Sequence, residues 1–339
     1  MPANANFDEL LSTTLDNYRE TLTDNVFNSR PVLFHLMEKN RLRMLSGGNK
    51  IVEPLIYEEG QAGSYGEYDV LTITPQEGIS AAEFDWKSLY ATIAISGLEE
   101  AKNNGEEQVI SLLEAKTMQA EQTLKNKIST MLFATTLASA TDWNGLGILI
   151  GDHNSAVTTV GGINCATTGN EFWRSVVRDK TLTAFADVDI RQFVAEAANS
   201  ASDSGTDRID AVFTAQDVFE LYESQLTPQV RYSDVDSANA GFQNLMVQGV
   251  PMYWDFDCPA GTIYGVNSKY IGFAGHTSRW FKQSAFSDGL SGNSSAVAAP
   301  STAGQASTID ARYSVITAYG NMTVRNRKRH FKIHNIATS

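Results

Sequence analysis

The chain has 339 residues, 42% hydrophobic and 19% charged, which suits a folded protein of two domains or of one domain with large excursions. A formal net charge of −13 argues against a surface that grips nucleic acid as a whole. No apolar run can span a membrane, the start MPANANFDEL carries no basic-then-apolar leader, and Cys165 and Cys258 have neither metal-site nor disulfide-framework spacing, so two incidental thiols and a cytosolic site of synthesis are expected.

In chain order, Phe7 to about Asn28 is predicted to be an amphipathic helix, because Leu10, Leu11, Leu15, Tyr18, Leu22 and Val26 return at three- and four-residue steps. Val32 to Leu45 is predicted to hold a second, shorter helix with Leu33, Leu36 and Met37 on one side, and Gly47-Gly48 closes this arm. Lys50 to Tyr57 reads as a strand, bent or at an edge because of Pro54. Leu89, Ala91, Ile93 and Ile95 alternate with Tyr90, Thr92, Ala94 and Ser96 in a second strand. Between them, Glu58 to Asp85 is an acidic link with no obvious core. The two strands and their link predict an extended hairpin that projects from the body. Isolated hairpins are marginal in water, so a partner surface is expected to cover it.

Asn104 to about Thr136 is predicted to be one long helix, the spine of the chain. Asn104 is a suitable N-cap, Glu106 and Glu107 put negative charge at the positive end, and Val109, Leu113, Ala120, Leu124, Ile128 and Met131 share a face. Beyond Trp143, Asp189 to about Ser202 and Ala215 to Leu226 read as helices and Ile209 to Phe213 as a buried strand. Short strands follow around Leu245–Trp254, Gly261–Asn267 and Tyr270–Gly275. Ser284 to Thr308 is almost all small residues and is expected to be a surface loop. Ala311 to Gly320 alternates, and Met322 to Ile336 continues the extended pattern. The returning end pairs most simply with the strand that runs into the spine. The expected organisation is α+β: an arm over 1–48, an extended hairpin over 49–96, a domain built from 97–139 and 281–339, and a compact domain over 140–280 inserted into it.

Charge is unevenly placed. From Ile51 to Trp86 there is no Lys or Arg, while Arg325, Arg327, Lys328, Arg329 and Lys332 cluster near the other end. The acidic hairpin (Glu58, Glu59, Glu67, Asp69, Glu77) is expected to dock on a basic surface of another subunit. Arg325, Arg327, Lys328 and Arg329 would supply that surface, with Lys39, Arg41 and Arg43 of the arm. His330 and His334 fall in the basic cluster and are expected to be solvated. No catalytic constellation is found. The histidines (His35, His153, His276, His330, His334) show no zinc-protease spacing, and there is no P-loop, dinucleotide fingerprint or nucleophile elbow. Asp255-Phe-Asp257 could hold a divalent cation as in a metal-dependent transferase, but a turn is the simpler reading. A thiol nucleophile pair of Cys165 with His153 is set aside on similar grounds. The chain is expected not to be an enzyme and to need no cofactor or metal.

The succession of parts resembles the major capsid proteins of tailed bacteriophages, whose HK97-like shell fold is shared with encapsulins. The resemblance lies in Leu45-Ser-Gly-Gly-Asn-Lys-Ile, the acidic hairpin, Gly105-Glu-Glu-Gln-Val-Ile-Ser-Leu-Leu, Leu245-Met-Val-Gln-Gly-Val-Pro-Met-Tyr and Tyr319-Gly-Asn-Met-Thr-Val-Arg-Asn. In that family the parts are the N-terminal arm, E-loop, peripheral domain with spine helix, and axial domain. The resemblance implies an icosahedral shell of hexamers and pentamers, made in a bacterial host, that encloses double-stranded DNA held only non-specifically. Portal and decoration proteins are implied partners. So is a separate scaffolding protein, because the arm begins within a few residues of Met1. Some members weld the hairpin to a neighbour through a lysine–asparagine bond; the lysine-free hairpin argues against that here. An encapsulin-like cellular shell is the alternative.

Overall fold

Strands form where alternation lets one face be covered, and helices where apolar residues recur at three and four. A computed structural model describes residues 31–71, 77–102, 112–152, 157–181, 189–203, 207–226, 244–284, 286–288 and 310–337. The expected helix over Phe7–Asn28, the cap Asn104 with Glu106, Glu107 and Val109, His153, and most of the Ser284–Thr308 segment lie outside the described residues. In chain order the elements are α1 (Pro31–Glu38), β1 (Leu42–Leu45), β2 (Lys50–Ile56), β3 (Ile79–Asp85), β4 (Lys87–Ser96), α2 (Gly97–Lys102) and α3 (Leu112–Leu132). There follow α4 (Leu146–Leu149), β5 (Thr159–Val160), β6 (Ile163–Asn164), β7 (Val176–Asp179), α5 (Ile190–Ala201), β8 (Ala211–Thr214) and α6 (Gln216–Ser224). The last are β9 (Asn244–Val247), β10 (Val250–Trp254), β11 (Ile263–Val266), β12 (Ile271–His276), β13 (Lys282–Gln283), β14 (Ser287–Asp288), β15 (Ala311–Val324) and β16 (Phe331–His334). Two compact units result. Among the described residues one takes Ser88–Ile128 and Ser278–Tyr319, and the other takes Asn28–Lys87, Ser129–Thr277 and Gly320–Ser339.

In the first unit, β4 buries Leu89, Ala91, Ile93 and Ile95 as the alternation predicts, and it pairs with β15. The expected return of the chain's end to the strand before the spine is thus found. β13 and β14 also pair antiparallel with β15, in the registers Lys282↔Thr317 and Ser287↔Tyr313. Gly97, where β4 becomes α2, donates its N–H to the Asp310 carbonyl, and a Cβ there would lie 2.2 Å from Asp310 Oδ1. The described part of the spine is α3, 21 residues and about 32 Å long. Ala120, Leu124 and Ile128 are buried as expected, but at its start the inward residue is Leu112, and Leu113 is exposed.

The second unit carries a six-stranded sheet in the order β7-β16-β11-β8-β10-β9. β8 and β11 are buried along their whole length, which explains their nearly unbroken apolar runs. Helices α5 and α6 cover one face. Phe193, Val194, Val218 and Phe219 join Met252, Ile263, Phe331 and Ile333 in a single core. Asp189 caps α5 by accepting from Arg191 N at 3.0 Å. Gly265 is required by close packing, since a Cβ there would sit 2.0 Å from the Phe331 ring. In this unit α3 ends at Leu132, short of Thr136. Gly145 and Gly147 lie against the last helical turn, and a Cβ on Gly145 would meet the Met131 carbonyl at 2.1 Å. The returning chain therefore occupies the space that a further turn would need.

Three expectations for this unit are corrected. Among the described residues of the arm, only α1 is helical. Asn40 then takes a left-handed conformation (φ 51), and Leu42–Leu45, expected to be helical, lies parallel to β12 as β1. The hairpin partner of β2 is β3, inside the segment read as a coreless link, and not β4. β3 is hard to see because Ser80, Ala81 and Ala82 leave its centre without large apolar side chains. Glu83 N donates to the Gly161 carbonyl, and a Cβ on Gly161 would lie 2.8 Å from Ala82 Cβ, so the β5–β6 turn leaves no room for a larger side chain at position 82. Finally, Met322–Ile336 is not one extended run. β15 ends at Val324, a 3-10 turn covers Arg327–Arg329, and β16 joins the other sheet between β11 and β7.

His330, expected at the surface, is fully buried beside that turn, and its Nδ1 accepts from Asn267 N at 3.2 Å. Burial pushes its pKa down to about 3, with Arg327 adding to the effect and Asp210 opposing it. A histidine lowered in the fold favours the folded state fully above its unfolded value near 6.5, and that contribution is lost as pH falls toward 3. We expect stability to drop by roughly 3–5 kcal/mol across this window. In urea titrations at pH 7 and pH 4, His330→Asn, which keeps an acceptor but cannot titrate, should lose a smaller share of its stability on acidification.

Candidate intersubunit surfaces

The stem of the hairpin has two unlike faces. Ile51, Leu55, Ala82 and Phe84 are buried, whereas the opposite face presents Val52, Pro54, Ile56, Ile79 and Ala81. Ile56 and Ile79 are register partners, 84% and 78% exposed. Beyond the stem Glu58, Glu59, Glu67, Asp69 and Glu77 are all exposed, alongside Tyr65, Tyr68, Val70 and Leu71. An apolar strip leading to an acidic, aromatic end is costly to leave in water.

One inward position of β2 is an acid. Glu53 shares the face of Ile51 and Leu55 and is only 1% exposed. Arg325 Nε donates to its Oε2 at 2.9 Å, Arg43 Nη2 and Nη1 donate to Oε1 and Oε2, and Thr323 Oγ1 donates to Oε1 at 3.3 Å. The carboxylate thereby joins β1, the stem and the end of β15. The sequence reading missed it, although strict alternation in Ile51-Val-Glu-Pro-Leu55 points Glu53 inward and was the available signal.

The expected basic surface divides into residues of different character. Arg327 does not belong to it. Its side chain is fully buried and donates to the carbonyls of Leu149 at 2.7 Å, Trp173 at 3.0 Å and Gly151 at 3.0 Å. Asn326 caps the 3-10 turn that aims it inward, and burial lowers its pKa. Arg43 and Arg325 hold Glu53. Arg329 pairs with Asp203 at 2.6 Å and reaches Asp207 at 3.5 Å. Lys328 is exposed, and Arg41 is partly buried. A cleft of about 830 Å³ separates Pro54–Gly60 from Lys269, Tyr270, Arg325, Lys328 and Arg329, with Phe172 and Trp173 in its wall. Glu58 and Glu59 thus lie across a cleft from basic residues of their own chain.

Asp255 and Asp257 form a turn after β10. Asp255 Oδ1 accepts from Asp257 N at 3.1 Å, and Asp257 Oδ2 accepts from the buried Ser129 hydroxyl at 2.7 Å. Cys165 is buried, with its thiol donating to the Thr158 carbonyl, and burial raises the pKa of Cys258. Among the described residues, no group of three or more His, Cys, Asp or Glu side chains is placed to hold a metal ion, and no helix is long and apolar enough to cross a membrane.

Removing the Arg327 guanidinium takes a donor from each of three buried carbonyls, of which that of Gly151 keeps the Ser175 hydroxyl, so Arg327→Met should cost about 3–5 kcal/mol in chemical denaturation. Arg327→Glu should accumulate as insoluble protein, not as a folded subunit that fails to associate. Solubility and circular dichroism distinguish the two.

No known family profile matches the chain, and no curated protein matches it. Solved structures do. The capsid asymmetric unit of cyanophage A-1(L) superposes with a TM-score of 0.65 at 17% identity, covering 95% of this chain and 97% of that one. The capsid of a native GTA particle gives 0.63 at 9% identity, covering 95% and 96%. The SrpI encapsulin of Synechococcus elongatus PCC 7942 gives 0.54 at 7% identity, covering 94% and 93%.

Proposed function

We propose that this chain, which has the HK97-like shell fold, is a major capsid protein that self-assembles into the icosahedral shell of a tailed bacteriophage around double-stranded DNA. The observation that carries the proposal is the length of the likeness: the fold shared with phage capsid structures takes in 95% of the chain, hairpin included. The uncovered outer face of the stem, with Ile56 and Ile79 in the open, fits a subunit that is finished by its neighbours.

In this reading Glu58, Glu59, Glu67, Asp69 and Glu77 meet cations of an adjacent copy. Arg327 is excluded by its burial, Arg329 is paired with Asp203 and Asp207, and Arg43 and Arg325 are partly committed to Glu53, which leaves Lys39, Arg41, Lys328 and the exposed part of Arg325. Exposed pairs contribute only about 0.2–1 kcal/mol each, so a misplaced subunit can leave, and strength accrues when many contacts close together. Portal, scaffolding and decoration proteins are the further partners of such a shell, and contact with DNA is non-specific. A cellular compartment of encapsulin type is the second reading, favoured by the likeness to the Synechococcus shell.

Negative-stain microscopy of the purified protein should show closed shells of uniform size. A sample that remains monomeric with its hairpin protected against its own body would overturn the proposal. Nucleic acid inside shells isolated from the native source supports the phage reading, and a co-purifying enzyme supports the cellular one. Lys328→Glu should weaken assembly several-fold at low salt while leaving the melting temperature of the subunit unchanged. Light scattering should find that this deficit shrinks as salt screens the contacts.

A further inference from the structure

A pocket of about 130 Å³, several times the roughly 30 Å³ share of one liquid water, opens beside the turn at Asn40. Its charged lining is Arg41, Arg43, Lys269 and Arg325 against one carboxylate, Glu53. That carboxylate is already engaged by Arg43, Arg325 and Thr323. Lys269 reaches Asp207 at 3.5 Å and lies over the Tyr270 ring, with its side chain 63% exposed. Arg41 differs from the others: among the described residues no carboxylate pairs with its guanidinium, whereas Arg43 and Arg325 hold Glu53 and Lys269 meets Asp207. Its Nε is closed off from solvent, so an acceptor in the hollow would meet the outer nitrogens of the guanidinium. Around a net charge of −13, four cations converge on this one hollow. Its fixed walls are main chain, since the Arg41 carbonyl accepts from Phe273 N at 2.8 Å and presses on Gly272, where a Cβ would lie 2.5 Å from it.

We propose that this pocket is a binding site for a small oxyanion of the phosphate class, with Arg41 as its principal donor and Lys269 closing over it. Guanidinium groups suit such a ligand because their planar N–H donors match paired oxygens. Glu53 does not repel the anion strongly, because its charge is offset by two arginines at contact distance. The site lies within one chain and does not depend on shell formation.

The test titrates the full-length protein with inorganic phosphate at constant ionic strength, balanced with sodium chloride, by calorimetry and thermal melting. Saturable one-site binding is expected, with a melting temperature that climbs as phosphate rises. Arg41→Gln should weaken binding at least about tenfold, as loss of one charge-assisted donor pair does, with its phosphate-free melting temperature unchanged. Lys39→Gln, on the same arm outside the pocket, should bind like the parent. Absence of saturation, or Arg41→Gln binding as tightly as the parent, overturns the proposal. If Arg41→Gln folds poorly, Lys269→Gln provides the same comparison from an exposed position, and unaltered affinity there is equally fatal.

Discussion

The buried carboxylate of Glu53 is the contact on which the placement of the hairpin depends. A charge shielded from water is tolerable only when donors surround it, and here they come from Arg43, Thr323 and Arg325, from parts of the chain far apart in sequence. An apolar residue at this position would fill the same space with no preference for one angle of the stem. The carboxylate has such a preference, because its two oxygens must meet fixed donors. The stem is therefore held by direction as well as by burial, and the apolar strip of Val52, Ile56 and Ile79 is kept turned outward.

Much of this was legible in advance. Period-two alternation identified β4, Lys50–Tyr57 was legible as a strand without its inward face being recognised, and the three-and-four spacing found α5, α6 and the core of α3. The order of parts led to the shell fold through resemblance, in a chain whose structural neighbours share only 7% to 17% of its residues. The misses have physical causes. β3 is disguised because its centre is Ser80, Ala81 and Ala82, with Ala82 kept small by the Gly161 turn pressed against it. Leu42–Leu45 looked helical because its apolar spacing suits either state, and the left-handed Asn40 together with pairing to β12 decides for a strand. Arg327 and His330 seemed to belong to a solvated basic run, because nothing in local sequence reveals that a three-residue 3-10 turn rotates both inward.

That turn also changes how the basic cluster should be understood. Five cations in eight positions suggest a patch, but Arg327 serves as an internal hydrogen-bond donor, Arg325 serves the stem and Arg329 serves two aspartates. What remains outward is sparse. In the docking proposed above, a surface of few uncommitted charges would give weak, salt-sensitive contacts between copies, which would suit assembly by trial and correction better than a dense positive field.

The absence of lysine and arginine from Ile51 to Trp86 has a practical consequence. Trypsin has no cleavage site between Lys50 and Lys87, so the whole projection leaves a digest as one peptide whatever its conformation. Amine-reactive linkers pass over it as well. Carbodiimide coupling at its carboxylates, or cleavage after glutamate, is the chemistry that reports where this finger lies.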